Sequence, residues 1–292
     1  MAEANQVIGV DLGGTKILAG VVDADGRIGE TVERPTATSS QTALFDELVA
    51  AVEELPHEGV AAVGFGLPAL IDQARGVAIG SVNIPLHDAP FRDEMQQRLG
   101  LPVGIENDGT CAAYAEFAFG AGRGVSTFVM LTLGTGVGGG VVVDGKLLRA
   151  RTELGHMVIV EDGAPCQGTC TGRGHVESYC SGLAADRLAH EVLGATATGR
   201  DLVAQAHPAL ASIGRHLGAA IGTLVNIFGA ERVVIGGGFG VAAGELLLAP
   251  AREVVLREAL APGGRMLQLD LAQLGTQAGL IGAGLIGFDA AR

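Results

Sequence analysis

Three glycine turns, one acidic strand end and one cluster of nitrogen and sulfur donors carry the chemistry that this 292-residue sequence can do. Asp11-Leu12-Gly13-Gly14-Thr15-Lys16 follows the apolar run Val7–Val10. Glycines after a strand let backbone N–H groups face an anion, and the threonine hydroxyl and lysine ammonium add donors and charge. Asp11 in that turn suits a phosphate only through a cation such as Mg2+, which binds one or two carboxylates, waters and phosphate oxygens. The spacing of a Walker A loop is absent. Leu133-Gly134-Thr135-Gly136-Val137-Gly138-Gly139-Gly140 is a second such turn, and Val234-Ile235-Gly236-Gly237-Gly238 a third. Each alone reads equally as a tight turn. Three together, two with threonine, read as the cradle of a nucleotide in a cleft between domains. Gly13, Gly14, Thr15, Gly134, Thr135 and Gly136 are then expected at the phosphates, Gly237 and Gly238 near the adenosine, Asp11 at hydrated Mg2+, and Lys16 as nearby positive charge.

In Glu106-Asn107-Asp108 a carboxylate stands where a strand meets a helix. The positive end of that helix keeps Asp108 ionised, and a carboxylate so placed can take the proton of an alcohol that attacks a phosphate. The other reading of Asp108 is a helix cap. His156, Cys166, Cys170 and His175 offer four donors within 20 residues, a set that suits a tetrahedral structural zinc. The alternatives are unligated loop residues, or Cys180 in place of one ligand. Cys111, on an alanine-rich helix, reads as a packed core thiol. Histidines 57, 87, 190, 207 and 216 read as surface or loop residues.

The elements that position these groups follow from periodicity. Strands are expected at Val7–Asp11, Lys16–Val22, Arg27–Glu33, Val60–Leu67 and Val103–Glu106. Helices are expected at Thr38–Leu55 (Leu44, Phe45, Leu48, Val49 and Val52 on one face), Phe91–Leu99 and Asp108–Phe119. The pattern restarts with strand Thr127–Leu133, a glycine turn over Gly134–Gly140 and strand Val141–Val143. That echo of residues 7–26 implies two related α/β halves. Helices over 181–193 and 200–229, strands Arg232–Ile235 and Met266–Leu271, and a helix Thr276–Phe288 complete the chain. The expected division is residues 1–108 plus 276–292 as a smaller domain, and 109–275 as a larger one carrying the zinc loop.

The Asp11–Lys16 motif, Glu106-Asn107-Asp108, the Leu133–Gly140 turn and Glu153-Leu154-Gly155-His156, in that order, resemble the ROK family of bacterial sugar kinases and repressors over essentially the whole chain. The resemblance implies a two-domain actin-like ATPase (ribonuclease H-like) α/β fold, with ATP and sugar in the interdomain cleft, and a homodimer. It places Asn107, Asp108, Glu153, His156 and Glu177 around the sugar, with Gly66 and Asn83 on the facing wall; Gly66 also reads as an ordinary strand-end glycine and Asn83 as a turn former. Every hydroxyl desolvated on binding needs such a partner. The expected activity is that of an ATP-dependent hexose kinase, glucokinase first, forming glucose 6-phosphate. The alternatives are an N-acetylglucosamine or N-acetylmannosamine kinase, a polyphosphate-using kinase, and a sugar-responsive repressor. A repressor would carry a DNA-binding extension ahead of the first strand, and only six residues precede Val7. An actin-fold ATPase without a sugar gives no reason for the sugar and zinc motifs.

The family's common metal pattern is Cys-x-Cys-Gly-x-x-Gly-Cys-x-Glu. This chain reads Cys166-Gln-Gly-Thr-Cys170-Thr-Gly-Arg-Gly-His175-Val-Glu177, with the cysteines four apart and histidine in the third cysteine's place. Two thiolates and two neutral imidazoles make the site neutral around Zn2+. Zinc is expected to be structural, and His156 to bind it through one ring nitrogen and a sugar hydroxyl through the other.

Composition bounds the rest. With 48% hydrophobic and 17% charged residues the chain is not disordered. A net charge of −13, with Lys16 and Lys146 the only lysines, argues against nucleic acid and anionic membrane as partners. The longest apolar stretch, Leu217–Ala230, has 14 residues and is interrupted by Gly218, Gly222, Thr223, Asn226 and Gly229, too short for a membrane span. The first residues lack the pattern of a secretion signal, and a cytoplasmic location is expected.

Overall fold

In the computed structural model, which describes residues 6–81, 84–168 and 170–292, the chain forms two compact units. The first comprises the chain through Phe119, residues 149–151 and Thr276–Arg292; the second comprises Gly120–Leu148 and Thr152–Gly275.

The first unit is built on β1 (Gln6–Leu12), β2 (Lys16–Asp23), β3 (Ile28–Pro35), β4 (Val60–Leu67), the short β5 (Leu70–Asp72), β6 (Val77–Gly80) and β7 (His87–Ala89), and β8 (Val103–Asn107). Its main sheet has the order β3-β2-β1-β4-β8, with β1 antiparallel to β2 and parallel to β4, and β4 parallel to β8. β5, β6 and β7 form a small antiparallel sheet. β1 and β4 are apolar on both faces because both faces are covered. On one side Ile8, Val10, Leu12, Val63, Phe65 and Leu67 share a core with Leu44, Phe45 and Leu48 of α1 (Gln41–Glu53) and with Phe91 and Met95 of α2 (Phe91–Leu99). The Ser40 hydroxyl starts α1 by accepting the Ala43 N–H at 3.1 Å.

The other side is covered by α3 (Asp108–Phe119) and by the C-terminal helix, Ala278–Ala290. The sheet meets that helix with a row of glycines. Gly9, Gly64 and Gly104 are register partners across β1, β4 and β8. A Cβ on any of them would overlap helix backbone: the carbonyl oxygens of Leu280, Ala283 and Ile286, respectively. Gly282 is held equally close to the Cys111 carbonyl of α3. This packing is why α3 belongs to the first unit, so the division falls at Phe119 rather than at 108.

The second unit repeats the plan. β9 (Phe128–Leu133), β10 (Val137–Val143), β11 (Lys146–Leu147), β12 (Arg232–Gly236) and β13 (Gln268–Leu271) lie in the order β11-β10-β9-β12-β13, with the hairpin strands antiparallel and β9, β12 and β13 parallel. The echo between the two halves is thus an echo of sheet topology. The glycine turn is confined to residues 134–136, because Val137–Gly140 is already strand paired with β9.

The helices are α4 (Glu177–Cys180), α5 (Gly182–Leu193), α6 (Gly199–Ala204), α7 (Leu210–Phe228), α8 (Gly238–Ala243), α9 (Glu245–Glu258) and α10 (Gly263–Met266). The helix expected over 200–229 is therefore two. Ala206 takes a left-handed φ of 45° and Pro208, which has no N–H, follows before α7 begins. Met266 ends a helical turn, and the final strand starts at Gln268. Gly214 and Gly218 let α7 lie against the backbone of α9 at Leu247 and Ala251. Among the described residues no helix is long and apolar enough to cross a membrane.

The glycine row predicts a sharp contrast. Gly64→Ala forces a methyl group into the Ala283 carbonyl and is expected to destabilise the protein by about 3 kcal/mol or more. Gly80→Ala, with nothing within 4 Å of the added carbon, should stay within about 0.5 kcal/mol of the parent. Denaturant unfolding of both variants checks this; equal midpoints would show that the helix is not seated on the sheet backbone.

Candidate active site

The carboxyl ends of the parallel strands β1, β4 and β8 bring three expected groups together in the first unit. Asp11 is the register partner of Gly66, and Gly66 that of Glu106. Such strand ends are where open α/β sheets bind ligands. A Cβ at Gly66 would come within 3.2 Å of the Cys111 sulfur and 3.7 Å of Asp108 Cα. Cys111 is fully buried, and burial pushes its thiol far up, as befits a core residue.

At the junction of β8 and α3 the side chains of Asn107 and Asp108 both accept backbone N–H groups of the helix start. Asn107 makes the cap: its Oδ1 accepts the Thr110 N–H at 3.2 Å, and its Nδ2 donates to the Ala69 carbonyl at 3.4 Å. Asp108 is the first residue of α3 and accepts the Gly109 N–H at 2.8 Å. Glu106, 2% exposed, stands behind this turn. One oxygen accepts the Asn107 N–H at 2.9 Å, and the other accepts Gln73 Nε2 at 2.7 Å and Arg149 Nε at 3.3 Å. Burial pushes its carboxyl up against the opposing pull of these donors. Arg151 pairs with Asp72 at 2.7 Å. Both arginines belong to the three-residue crossing 149–151, whose role no sequence motif signals. Asn83 lies outside the described residues.

At the first glycine turn the Gly13 N–H closes the hairpin on the Lys16 carbonyl at 2.8 Å, and the Thr36 hydroxyl donates to the Gly13 carbonyl at 2.8 Å. The Gly13 N–H is thus used within the turn, and Gly14 and Thr15 are exposed members of it. Lys16 points to the surface and pairs with Glu33 at 2.8 Å, both side chains more than half exposed. Asp11 sits against Gly279 at the start of the C-terminal helix, where any Cβ would collide with its carboxylate. Burial raises its carboxyl to about 6, with Lys16 opposing.

In the second unit the four metal candidates converge. The ligand atoms of His156, Cys166, Cys170 and His175 all lie within 4.8 Å of one another. Cys170 Sγ is 3.7 Å from His175 Nδ1, and the two imidazole rings are 5.1 Å apart. A β-bridge between Val158 and His175 and another between Pro165 and Arg173 fold the loop into this shape. His156 Nδ1 is buried without a hydrogen-bond partner among the described residues. Two thiols, two imidazoles and an orphaned ring nitrogen fit one tetrahedral Zn2+. Cys180 is not a member: it is fully buried in α4, and its thiol donates to the Ile213 carbonyl at 3.8 Å. His216 is half-buried and in a helix rather than a loop. It lies in α7 with its ring 4.5 Å from that of Tyr179, and burial lowers its pKa.

Glu153, His156 and Glu177 gather beside the metal cluster. Glu153 Oε2 is 3.8 Å from His156 Nδ1; burial raises this carboxyl, with His156 opposing and Glu177 adding to the rise. Glu177 Oε2 accepts the Val137 N–H at 2.8 Å, and Glu177 Oε1 is 3.9 Å from Cys166 Sγ.

The second glycine turn opens onto a pocket of about 640 Å³ within this unit, lined by Gly134, Thr135, Leu183, Arg200, Gly238 and Phe239 among others. Gly237, at φ 78°, packs against the Leu133 backbone instead and turns the chain into α8. The α5 and α6 walls were not legible as motifs. They are joined by Asp186, which accepts the Gly199 N–H at 2.7 Å.

The environment of Asp11 fixes a pH dependence. Its folded value of about 6 exceeds the 3.8 of an unperturbed aspartate, so the folded state binds the extra proton and this residue's contribution to stability falls as pH rises through that window. In protein free of metal and nucleotide, Asp11→Asn should gain roughly 3 kcal/mol on the parent between about pH 4 and pH 7; parallel stability curves would refute the assignment. Metal analysis should find one zinc per chain, lost in Cys170→Ala.

The profile of the ROK family matches residues 7–288. A glucokinase from Streptomyces coelicolor is 36% identical over 307 residues, spanning 94% of this chain and 95% of that protein. The crystal structure of a ROK family glucokinase from Streptomyces griseus in complex with glucose and AMPPNP superposes with a TM-score of 0.80 at 35% identity, over 97% of this chain and 99% of that one. That of a ROK hexokinase from Thermus thermophilus does so with a TM-score of 0.84 at 35% identity, over 97% and 98%. The repeated sheet order is therefore that of the actin-like ATPase fold. Family profile, full-length likeness and the motifs at Asp11, Asp108 and His156 agree, and the chain belongs to the ROK family.

Proposed function

We propose that the protein is an ATP-dependent hexose kinase and that glucose is its principal acceptor. The observation that carries this reading is the position of Asp108: it opens α3 at the carboxyl end of β8, beside Gly66, and Gly66 is the register partner of Asp11. The Streptomyces griseus relative, whose structure holds glucose and AMPPNP, supports the choice of both substrates.

In the proposed reaction the glucose 6-hydroxyl oxygen attacks the γ-phosphorus of ATP. Its proton passes to the Asp108 carboxylate, the bond to the β,γ-bridging oxygen breaks, and ADP leaves with the electron pair. Phosphoryl transfer asks the protein for positioning and charge stabilisation rather than covalent chemistry. Exposed Gly14 and Thr15, and Thr135 and Gly136 of the second turn, are assigned to the phosphates. The pocket walls Leu183, Val203 and Phe239 are assigned to the adenosine. Mg2+, when bound, neutralises phosphate charge, and Asp11 is the residue that would hold it. Glu153, His156, Glu177 and Asn107 are assigned to sugar hydroxyls, with Gly66 and Asn83 opposite. The zinc is assigned the structural task of fixing the loop that carries His156.

Release of ADP from Mg-ATP, measured with glucose, mannose, fructose, N-acetylglucosamine and N-acetylmannosamine, tests the proposal. Turnover is expected with glucose, and Asp108→Ala should lower kcat by about 10²–10⁴ with the glucose KM little changed. Turnover with an acetamido sugar alone would keep the base and replace the acceptor. Silence across the panel in folded, zinc-loaded protein would overturn the kinase reading.

A further inference from the structure

Between its two metal-ligand cysteines this chain carries Gln167, Gly168 and Thr169, where the family pattern has a single residue. Gln167 leaves the metal loop and reaches the glycine turn: its Nε2 donates to the Thr135 carbonyl at 3.2 Å. An acceptor of that kind fixes which end of the amide faces it. Gln167 Oε1, at the other end, is buried without a hydrogen-bond partner among the described residues. The same turn is held from two other directions. The Gly182 N–H donates to the Gly134 carbonyl at 2.7 Å, and Glu177 Oε2 accepts the Val137 N–H at 2.8 Å. A Cβ at Gly136 would overlap Glu177 Oε2 and lie 3.5 Å from Gln167 Nε2.

The geometry of one peptide group gives the Gln167 contact its meaning. The carbonyl of Thr135 and the N–H of Gly136 are opposite ends of a single planar trans unit. Holding the carbonyl on the metal-loop side therefore aims the N–H the other way. Glycine at 136 would otherwise let this peptide rotate freely, since it has no Cβ to oppose a flip. Gln167 is adjacent in sequence to Cys166, so a metal ion that immobilises the Cys166 sulfur also immobilises the base of the Gln167 side chain.

We propose that Gln167 is a positioning residue for the phosphate-binding turn, and that through it the metal cluster sets the affinity for nucleotide. The metal is then felt at both ligands: at the sugar through His156 and at the phosphates through Gln167. The proposal rests on the kinase reading for the identity of the turn's ligand.

The test is calorimetric binding of ADP to the zinc-loaded and chelator-treated forms of the parent, Gln167→Ala and Gln167→Glu, with zinc content measured on each. In zinc-loaded protein both variants should bind ADP roughly fivefold or more weakly, the effect of losing one neutral hydrogen bond. They should keep one zinc per chain and an unchanged glucose KM. Chelation should weaken ADP binding to the parent by a similar factor and add little in Gln167→Ala, because the link is already cut. Parent-like ADP affinity in zinc-loaded Gln167→Ala, or an equal effect of chelation on parent and variant, would overturn the proposal. If chelation unfolds the protein, the zinc-loaded variants alone decide. Absence of ADP binding to the parent would overturn the nucleotide reading itself, a result distinct from parent-like binding in the variant.

Discussion

The contact on which the first unit depends is one between backbones. The C-terminal helix reaches β1, β4 and β8 at the level where each strand has a hydrogen atom in place of a side chain. Close packing of this kind gains many weak dispersion contacts at once and leaves no room for adjustment. It also sets the depth at which the helix start meets Asp11 and at which α3 lies beside Gly66. Asp11 is deep enough to be hard to ionise and stands at the strand ends beside Gly66. Those two properties come from the same close approach.

The second unit solves its positioning problem with a cross-linked loop. Residues 152–176 contain little regular structure beyond one short helical turn and two isolated bridges, and few apolar side chains there are buried. Such a segment cannot be held in one shape by burial alone. Four donor atoms within 4.8 Å of one another could supply, around one ion, what a core would have supplied. The Glu177 contact with Val137 and the Gln167 contact with Thr135 then transmit that rigidity to the strand-turn-strand of β9 and β10. Tyr179 extends the support the other way, accepting the Ala164 N–H at 2.7 Å while its ring lies on His216.

Much of this was legible in the sequence where the local signal was strong. The apolar runs before each glycine turn are strands, the repeat of strand, turn and strand is a repeat of sheet order, and the spacing of His156, Cys166, Cys170 and His175 is a cluster in space. The failures have physical causes. The segment from 239 to 265 showed no helical signal because glycines at 236–238, 240 and 244 punctuate it and Pro250 lies inside α9. Strands of three and four residues, β5 to β7, are too short to show alternation. Lys16 and Gly13 belong to the turn by sequence, but their side chain and N–H are used by Glu33 and by the hairpin itself. Glu106 looked like the prefix to Asn107-Asp108; only its burial and its bond to the Asn107 N–H show it shaping that turn. The walls of the pocket beside the second glycine turn come from α5, α6 and α8, which are distant in sequence and share no motif.

The seat of the C-terminal helix has a consequence for how the protein is made. The sheet that it covers leaves the ribosome before the second unit, whereas the helix is synthesised only after the entire second unit. Until translation reaches Ala278, α3 alone covers that face of β1, β4 and β8, a state that exposes a growing chain to association with its neighbours. A row of glycines softens that hazard, because a face with hydrogen atoms at Gly9, Gly64 and Gly104 offers less apolar surface to a wrong partner. The residues that let the helix dock so closely thus also leave the waiting sheet poorly adhesive.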